Sequence, residues 1–326
     1  MMARSSLRSL SRLQAIERRQ CPPGWGSEYV PSMRATRDEA PKISRPSTVY
    51  SDKIGRDIHL MSLPERAACL LALYNPRLFD LHEQHMLSPY PTEHPLAGHT
   101  LAKSQQLPRL AGTIAVADRM NMIGKHPTVW DTDEAHRNED SNRIPFPYIG
   151  DLLLFLADTQ GAYCVNWTVK KNAAQFGTPA ASMRRGDTRF NKSSDDSRHR
   201  LEEQYFADGG IRTVRVSAEE IDANLIANLT LLVSRESAYR GMAGHIRETA
   251  LQAYKEILES GLPPISVIAE MTRILDCSRN DCLTLLYGAI WNRDLRVDLY
   301  VPVLPDRPLR RERSDVLTDY RHWFER

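Results

Sequence analysis

The chain has 326 residues, with 43 Lys or Arg against 41 Asp or Glu, so its formal charge of +2 identifies no class of partner by itself. This length accommodates about two domains. The hydrophobic fraction of 41% is typical of a globular protein. No apolar run reaches the length of about 18 residues that crosses a membrane, so no membrane partner is expected. Five scattered cysteines without a CxxC motif favour a reducing compartment, for which the cytoplasm is the default.

The two ends of the chain are basic. Residues 1–43 are rich in Ser, Arg and Pro, and we expect them to form a flexible N-terminal arm. A transit peptide and a tail that contacts phosphates are alternative interpretations of the same arm. Residues 306–326 form a second basic segment, which we expect to be a poorly ordered tail.

A first domain is predicted over residues 44–216. A helix begins after Ser62, where Ser62 and Glu65 have the spacing of a capping box, and a short strand follows the helix. Residues 88–146 are rich in Pro, His and Asn and are predicted to be an insertion with little core of its own. The remaining predicted elements are a β-hairpin of residues 151–158 and 162–169, a helix over 197–208 and a strand over 211–216. This order of helices and strands indicates an α/β fold.

A second domain is predicted over residues 217–305, and it is mainly helical. A tight turn at Ser278 joins its last two helices, and residues 295–300 are predicted to be a strand. This order predicts a winged helix-turn-helix, a module that binds either DNA or a partner protein. The four helices are predicted over 221–232, 244–259, 265–275 and 279–291. The candidate contact residues in this domain are Arg279, Asn280, Arg293 and Arg296.

Three charged residues form the candidate catalytic group. Asp151 begins one strand of the hairpin and Lys170 ends the other, so antiparallel pairing brings both to one end of the sheet. Glu65, on the preceding helix, supplies a second carboxylate. Two acids and a lysine suit Mg²⁺-dependent hydrolysis of phosphodiesters, because carboxylates hold the cation and an ammonium offsets phosphate charge. The alternative is that Asp151 and Lys170 are ordinary charged ends of a hairpin.

Short motifs in a fixed order resemble the TnsA family, the endonuclease subunits of heteromeric (Tn-seven-like) transposases. The resemblance covers most of residues 44–303 outside 88–146, and it rests on the joint order of motifs that are individually weak. The motifs are Ser62-x-x-Glu65, Leu81-His-Glu83-Gln84, Gly150-Asp151-x-x-x-Phe155, Thr168-Val169-Lys170, Leu201-Glu202-x-x-Tyr205-Phe206 and Leu286-x-x-Ala-Ile-Trp.

The resemblance implies a restriction-endonuclease-like core of the PD-(D/E)xK superfamily, a mixed sheet flanked by helices, followed by the winged helix-turn-helix domain. It implies that Glu65 and Asp151 bind Mg²⁺, for which Mn²⁺ substitutes, and that Lys170 is the catalytic lysine. The residues that it places in supporting roles are Thr168, Val169, Glu83, Gln84 and Glu202. Two positions depart from the family pattern: Gly150 stands where Pro is usual, and Thr168 stands where Glu or Gln is usual.

The implied activity is hydrolysis of the 5′, non-transferred strand at transposon ends during cut-and-paste transposition. The implied partners are double-stranded transposon-end DNA, a DDE-type transposase subunit (TnsB-like) and an AAA+ regulator (TnsC-like), with the chain at the nucleoid in the bacterial cytoplasm. Two alternatives stay open. One is a non-catalytic DNA-binding or assembly subunit with a decayed site, and the other is a nuclease of repair or restriction that acts alone.

The remaining motifs give weaker indications of function. His82, His85, His94 and His99 lie close together in the sequence, but no cysteine is near them and HExxH is absent, so we interpret them as polar loop residues rather than zinc ligands. No GxGxxG and no GxxxxGK[ST] sequence occurs, which disfavours dinucleotide or ATP binding by this chain.

Overall fold

The computed structural model describes residues 8–42, 44–131, 143–177 and 192–326. The strands are β1 (Ser47–Ser51), β2 (Arg56–Leu60), β3 (Leu78–Glu83), β4 (Met86–Leu87), β5 (Thr128–Trp130), β6 (Arg143–Pro145), β7 (Tyr148–Ile149), β8 (Leu152–Asp158), β9 (Gly161–Lys170) and β10 (Arg212–Ser217). The helices are α1 (Leu10–Gln20), α2 (Leu63–Tyr74), α3 (Thr113–Arg119), α4 (Lys192–Ala207), α5 (Ala223–Val233), α6 (Glu236–Arg240), α7 (Gly244–Ser260), α8 (Ile265–Leu275), α9 (Arg279–Trp291), α10 (Val316–Asp319) and α11 (Arg321–Phe324). Within these residues, none of the helices combines the length and the apolar character needed to span a bilayer.

A four-stranded mixed sheet in the order β10-β9-β8-β3 is the centre of the fold. β10 runs parallel to β9, whereas β8 is antiparallel to both of its neighbours. The predicted α/β class and the mixed sheet flanked by helices are therefore confirmed.

Successive side chains of β8 point to opposite faces of the sheet, and both faces are buried. Leu152, Leu154 and Leu156 belong to the cluster that contains α2, while Leu153 and Phe155 belong to the cluster that contains α4. Successive strand residues point to opposite faces, so a continuous apolar run is what a strand covered on both sides requires. The sequence prediction of a hairpin here is confirmed, since β8 and β9 pair from Leu152 opposite Trp167 to Asp158 opposite Gly161.

The described part of residues 88–146 buries its apolar side chains in clusters that it shares with other segments. In the described part of this segment, Leu96, Leu110 and Val116 are buried in one cluster with Phe155 of the sheet and Phe206 of α4. The segment thus has little core of its own, as expected, but its widely spaced apolar residues bury against a surface that distant strands supply.

The N-terminal arm is packed rather than flexible over residues 8–42. Leu13 and Ile16 of α1 are buried with Val129 and Phe146. Arg19 also forms an ion pair of 2.7 Å with Glu39 inside the same segment. Residues 1–7, which include the first basic side chain of the arm, lie outside the described residues.

The four predicted C-terminal helices are confirmed as α5, α7, α8 and α9. Ser278 begins α9 as predicted, because its hydroxyl accepts the N–H of Asp281 while the carboxylate of Asp281 accepts the N–H of Ser278. The strand predicted over 295–300 is wrong. That segment is irregular and makes a single bridge, from Val297 to Arg311, so the described residues lack the predicted wing strand.

The C-terminal segment, expected to be a poorly ordered tail, lies against the central sheet. The indole N–H of Trp167 donates to the carbonyl of Trp323 at 2.8 Å, and the hydroxyl of Tyr163 donates to the carbonyl of Phe324 at 3.0 Å. One buried cluster contains residues from both sides of the predicted boundary at 216 and 217, together with Trp323 and Phe324. The tail therefore completes the main core.

We expect Trp323→Ala to lower the free energy of unfolding by about 3–5 kcal/mol, because it removes a large buried side chain and leaves a cavity beside Trp167. Urea unfolding followed by far-UV circular dichroism measures this change. Arg321→Ala, two residues away and exposed, is the matched control. Equal stability of Trp323→Ala and wild type would contradict the packed position of the tail.

Candidate active site

The predicted catalytic residues meet at one end of the central sheet. Asp151 directly precedes β8 and Lys170 is the last residue of β9, and antiparallel pairing places both at the same edge. The backbone N–H of Val169 donates to Oδ2 of Asp151 at 2.7 Å. This bond holds the start of β8 to the end of β9.

Glu65 reaches the same edge from the first turn of α2. Its side chain is only 7% exposed, and three donors satisfy the carboxylate. Oε2 accepts the backbone N–H of Met61 at 2.9 Å and the amide of Gln84 at 3.0 Å, and Oε1 accepts the hydroxyl of Ser62 at 2.7 Å. The local cap at Ser62 thus orients the carboxylate as well as starting the helix.

The three charges lie within electrostatic reach of one another. Burial raises the pKa of Glu65 to about 7, and the negative charge of Asp151 adds to the rise. The hydrogen bonds from Met61 and Ser62 and the positive charge of Lys170 act in the opposite direction. Two carboxylates and an ammonium therefore share one partly buried site, as the sequence predicted.

Glu202 lies on the α4 side of this edge, fully buried. Its Oε1 accepts the amide of Asn166 at 2.9 Å and the hydroxyl of Thr168 at 3.1 Å. Burial raises the pKa of Glu202, and the charge of Asp151 contributes to that rise. The hydroxyl of Thr168, at the position where the resemblance implies an acid or an amide, is bonded to this carboxylate.

Glu83 does not belong to the site, although the sequence placed it in a supporting role. It is 0% exposed and accepts two hydrogen bonds of 2.8 Å from the guanidinium of Arg56. It also accepts the N–H of His59 at 2.9 Å. Its neighbour Gln84 is the residue of this pair that contacts Glu65.

Most of the candidate contact residues in the predicted second domain, residues 217–305, form hydrogen bonds or ion pairs with other residues of the chain. Arg293 and Arg296 donate to Oδ2 of Asp315 at 2.7 and 2.8 Å. These ion pairs tie the C-terminal segment to the end of α9. Of the other two candidates, Asn280 accepts a hydrogen bond of 3.1 Å from Arg235, and Arg279 is exposed at the start of α9.

Two polar residues at this edge escaped the sequence analysis. Asn166 is buried on β9 and donates to Glu202, and Arg198 donates to the carbonyl of Ile149 at 2.8 Å, two residues before Asp151. The charge of Arg198 lowers the pKa of Glu202 against the effect of burial. Two sequence features could have identified these residues. Asn166 is a polar residue inside an apolar strand, and Arg198 stands four residues before Glu202 on one helix.

His82 lies on β3 rather than in a loop, whereas His85 and His94 lie in irregular segments as expected. His82, His85 and His94 are buried, and the ring of His82 stacks on Tyr29 with 3.8 Å between the ring centroids. Burial lowers the pKa of His85 to about 3, so its ring is neutral at physiological pH.

His85 explains why Gly150 stands before Asp151. A Cβ atom at position 150 would lie 2.3 Å from Cε1 and Nε2 of the His85 ring. Real Cβ atoms do not approach other atoms so closely, so a larger residue would displace the ring or the segment that leads into Asp151. The departure from the family pattern at this position therefore has a packing cause.

The donor set of the site fits a magnesium ion. Glu65 and Asp151 supply oxygen ligands, and Mg²⁺ in proteins is commonly held by one or two carboxylates with water completing its shell. A cation there would offset the repulsion that raises the pKa of Glu65. The described parts of the chain hold no cluster of three or more His, Cys, Asp or Glu side chains arranged to bind a metal.

Comparison of the chain with models of known protein families finds no match. A search among curated proteins also finds no match. The function of the chain is therefore inferred from its own residues and their arrangement.

We expect Gly150→Ala to destabilise the protein by about 1–3 kcal/mol, because the added methyl group overpacks the space of the His85 ring. Denaturant unfolding measures the change, and Gly124→Ala, at a glycine with nothing near its Cβ position, is the control. In the His85→Ala background the same substitution should cost less, since the colliding ring is absent. Equal costs in both backgrounds would refute this account.

The raised pKa of Glu65 predicts a pH-dependent stability. A carboxyl group whose pKa is about 7 when folded, against 4.5 ordinarily, stabilises the folded state fully below pH 4.5 and loses that contribution as the pH rises through 7. In metal-free buffer, wild type should therefore lose stability relative to Glu65→Gln between these pH values. Urea unfolding across this range measures the difference, with Glu259→Gln, exposed on α7, as the control. A constant difference between wild type and Glu65→Gln would contradict the prediction.

Proposed function

We propose that this chain is a Mg²⁺-dependent DNA endonuclease subunit of a transposase, which hydrolyses the 5′, non-transferred strand at transposon ends. The convergence of Glu65, Asp151 and Lys170 supports metal-dependent hydrolysis of a phosphodiester, and the resemblance of the sequence motifs to the TnsA family suggests transposon ends as the substrate. The three residues come from three separate segments, and the like-charge effect of Asp151 on Glu65 places both carboxylates in one electrostatic environment. Perturbed carboxyl groups of this kind are typical of functional sites.

The fold supports a restriction-endonuclease-like core. A mixed sheet with α2 on one face and α4 on the other carries the acidic group at the end where β8 begins and β9 ends. In this proposal Asp151 is the acid of the PD-(D/E)xK motif and Lys170 is its lysine. Thr168 takes the middle acidic position, with Glu202 bonded to its hydroxyl.

Glu65 and Asp151 would hold the magnesium ion. When bound, the cation withdraws electron density from the scissile phosphate and makes a coordinated water more acidic. The carboxylate of Glu65 is held for this role by Met61, Ser62 and Gln84. Asp151 is held by the N–H of Val169.

Lys170 supplies positive charge beside the two carboxylates. Its ammonium would orient the attacking water and offset the charge that develops on the phosphate oxygens. Arg198, exposed and fixed to the carbonyl of Ile149, lies at the rim of the same edge and would contact a neighbouring phosphate.

The C-terminal unit would bind the partners of the reaction. We propose that α8 and α9 form a helix-turn-helix, which contacts transposon-end DNA, a DDE-type transposase subunit and an AAA+ regulator. Arg273 of α8 and Arg279 of α9 are exposed cations of these two helices, whereas Arg293 and Arg296, which follow α9, are paired with Asp315. The chain would act at the nucleoid in the bacterial cytoplasm.

The proposal predicts 5′-strand nicks in a labelled, double-stranded transposon end when the chain, the transposase subunit, the AAA+ regulator and Mg²⁺ are combined. Asp151→Ala and Lys170→Ala should each reduce the rate by about 100-fold or more, because each removes a group that acts on the reacting phosphate. Lys171→Ala is the matched control. This neighbouring lysine is exposed and pairs with Glu219, so its loss should leave the rate unchanged.

Removal of Mg²⁺ with EDTA should abolish the nicks, and Mn²⁺ should restore them. If wild type and both variants give the same products, the site is decayed and the chain is an assembly subunit. If the purified chain cuts without its partners, the protein is a stand-alone nuclease of repair or restriction.

A further inference from the structure

Gln84 has an unusual backbone conformation for a residue other than glycine. Its φ angle is +48°, in the left-handed region that residues with a Cβ rarely adopt, and the side chain is only 5% exposed. Such conformations are strained and persist where the surrounding structure enforces them, most often at functional sites. The contacts of Gln84 indicate what this conformation achieves.

Gln84 is bonded to both segments that carry the acidic side chains. Its side-chain Nε2 donates to Oε2 of Glu65 at 3.0 Å, while its backbone N–H donates to the carbonyl of Asp151 at 2.9 Å. Its own carbonyl accepts the N–H of Ser32 at 3.0 Å. One residue thus connects the start of α2 to the start of β8.

The left-handed turn is what directs the amide to Glu65. In a regular strand, residue 84 would lie on the same face as His82, which packs against Tyr29 and Phe155. The positive φ ends the strand and turns the side chain from that aromatic cluster toward α2.

We propose that Gln84 is a positioning residue that sets the location of the Glu65 carboxylate relative to Asp151, so that the two bind one divalent cation. This inference rests on the proposed nuclease function and adds to it the residue that assembles the metal site. A glutamine suits the role because its amide donates a hydrogen bond without adding charge beside two carboxylates. Asparagine is one methylene shorter and would fall short of Glu65.

Two substitutions distinguish the role of the Gln84 side chain from that of its backbone. Gln84→Gly keeps the left-handed conformation, which glycine adopts freely, and keeps the backbone bond to Asp151 while removing the amide. Gln84→Asn keeps an amide but shortens it. Gln20→Asn is the matched control, because Gln20 is also a buried glutamine that donates to a backbone carbonyl, that of Val30, away from the carboxylates.

The first measurement is binding of Mn²⁺ alone to the full chain without DNA, by isothermal titration calorimetry and by electron paramagnetic resonance. Loss of a group that orients a metal ligand typically weakens affinity by about 10–100-fold. We expect both Gln84 variants to show this loss while far-UV circular dichroism shows that they remain folded at the temperature of the titration. Gln20→Asn should bind Mn²⁺ as wild type does.

The second measurement is cleavage of transposon-end DNA as a function of Mn²⁺ concentration. Gln84→Gly should need about 10–100-fold more Mn²⁺ and then approach the wild-type rate, whereas Lys170→Ala should stay slow at every concentration. Unchanged Mn²⁺ affinity in Gln84→Gly would overturn the role of Gln84 and leave the nuclease proposal intact. Wild-type protein that neither binds Mn²⁺ nor cuts would overturn both.

Discussion

The buried ion pair between Arg56 and Glu83 is the contact on which the geometry of the site depends. The guanidinium donates to both carboxylate oxygens at 2.8 Å and to the carbonyl of Leu81 at 2.6 Å. Separating such a pair leaves an uncompensated buried charge, at a cost of about 3–5 kcal/mol. The end of β3 is therefore held in one position against β2. Gln84 is the next residue after Glu83, so the ion pair also anchors the backbone that directs the Gln84 side chain toward Glu65.

Two buried carboxylates lie at the same end of the central sheet, Glu65 on one face and Glu202 on the other, with Asp151 between them. Burial and the charge of Asp151 raise the pKa of Glu65 on the α2 side and of Glu202 on the α4 side. Neutral groups donate hydrogen bonds to each carboxylate, and the hydroxyl of Thr168 is one of the two donors to Oε1 of Glu202. Such an arrangement is costly unless the hydrogen bonds are complete, and it concentrates negative charge where a cation would bind.

Local patterns were sufficient for the four strands of the central sheet and for α2, α4, α5, α7, α8 and α9, whereas α1, α3 and the strands outside that sheet were not predicted. The N-terminus of α2 at Ser62 and that of α9 at Ser278 follow from caps that act within four residues, and the hairpin follows from apolar runs on either side of a tight turn. The residue types and the resemblance also selected Glu65, Asp151 and Lys170, which the fold brings to one edge. These features were predictable because the interactions behind them join neighbours in the sequence or follow from strand pairing.

The sequence by itself thus determined the strands of the central sheet, six of the helices and the acidic pair with its lysine. Only the tertiary structure decided where residues 88–146 and the two ends of the chain lie, because their apolar side chains bury against surfaces formed by distant segments. The same holds for the salt bridges of Arg293 with Asp315 and for the space that Gly150 leaves to His85. Contacts of this kind join residues far apart in the sequence, and no local pattern encodes them.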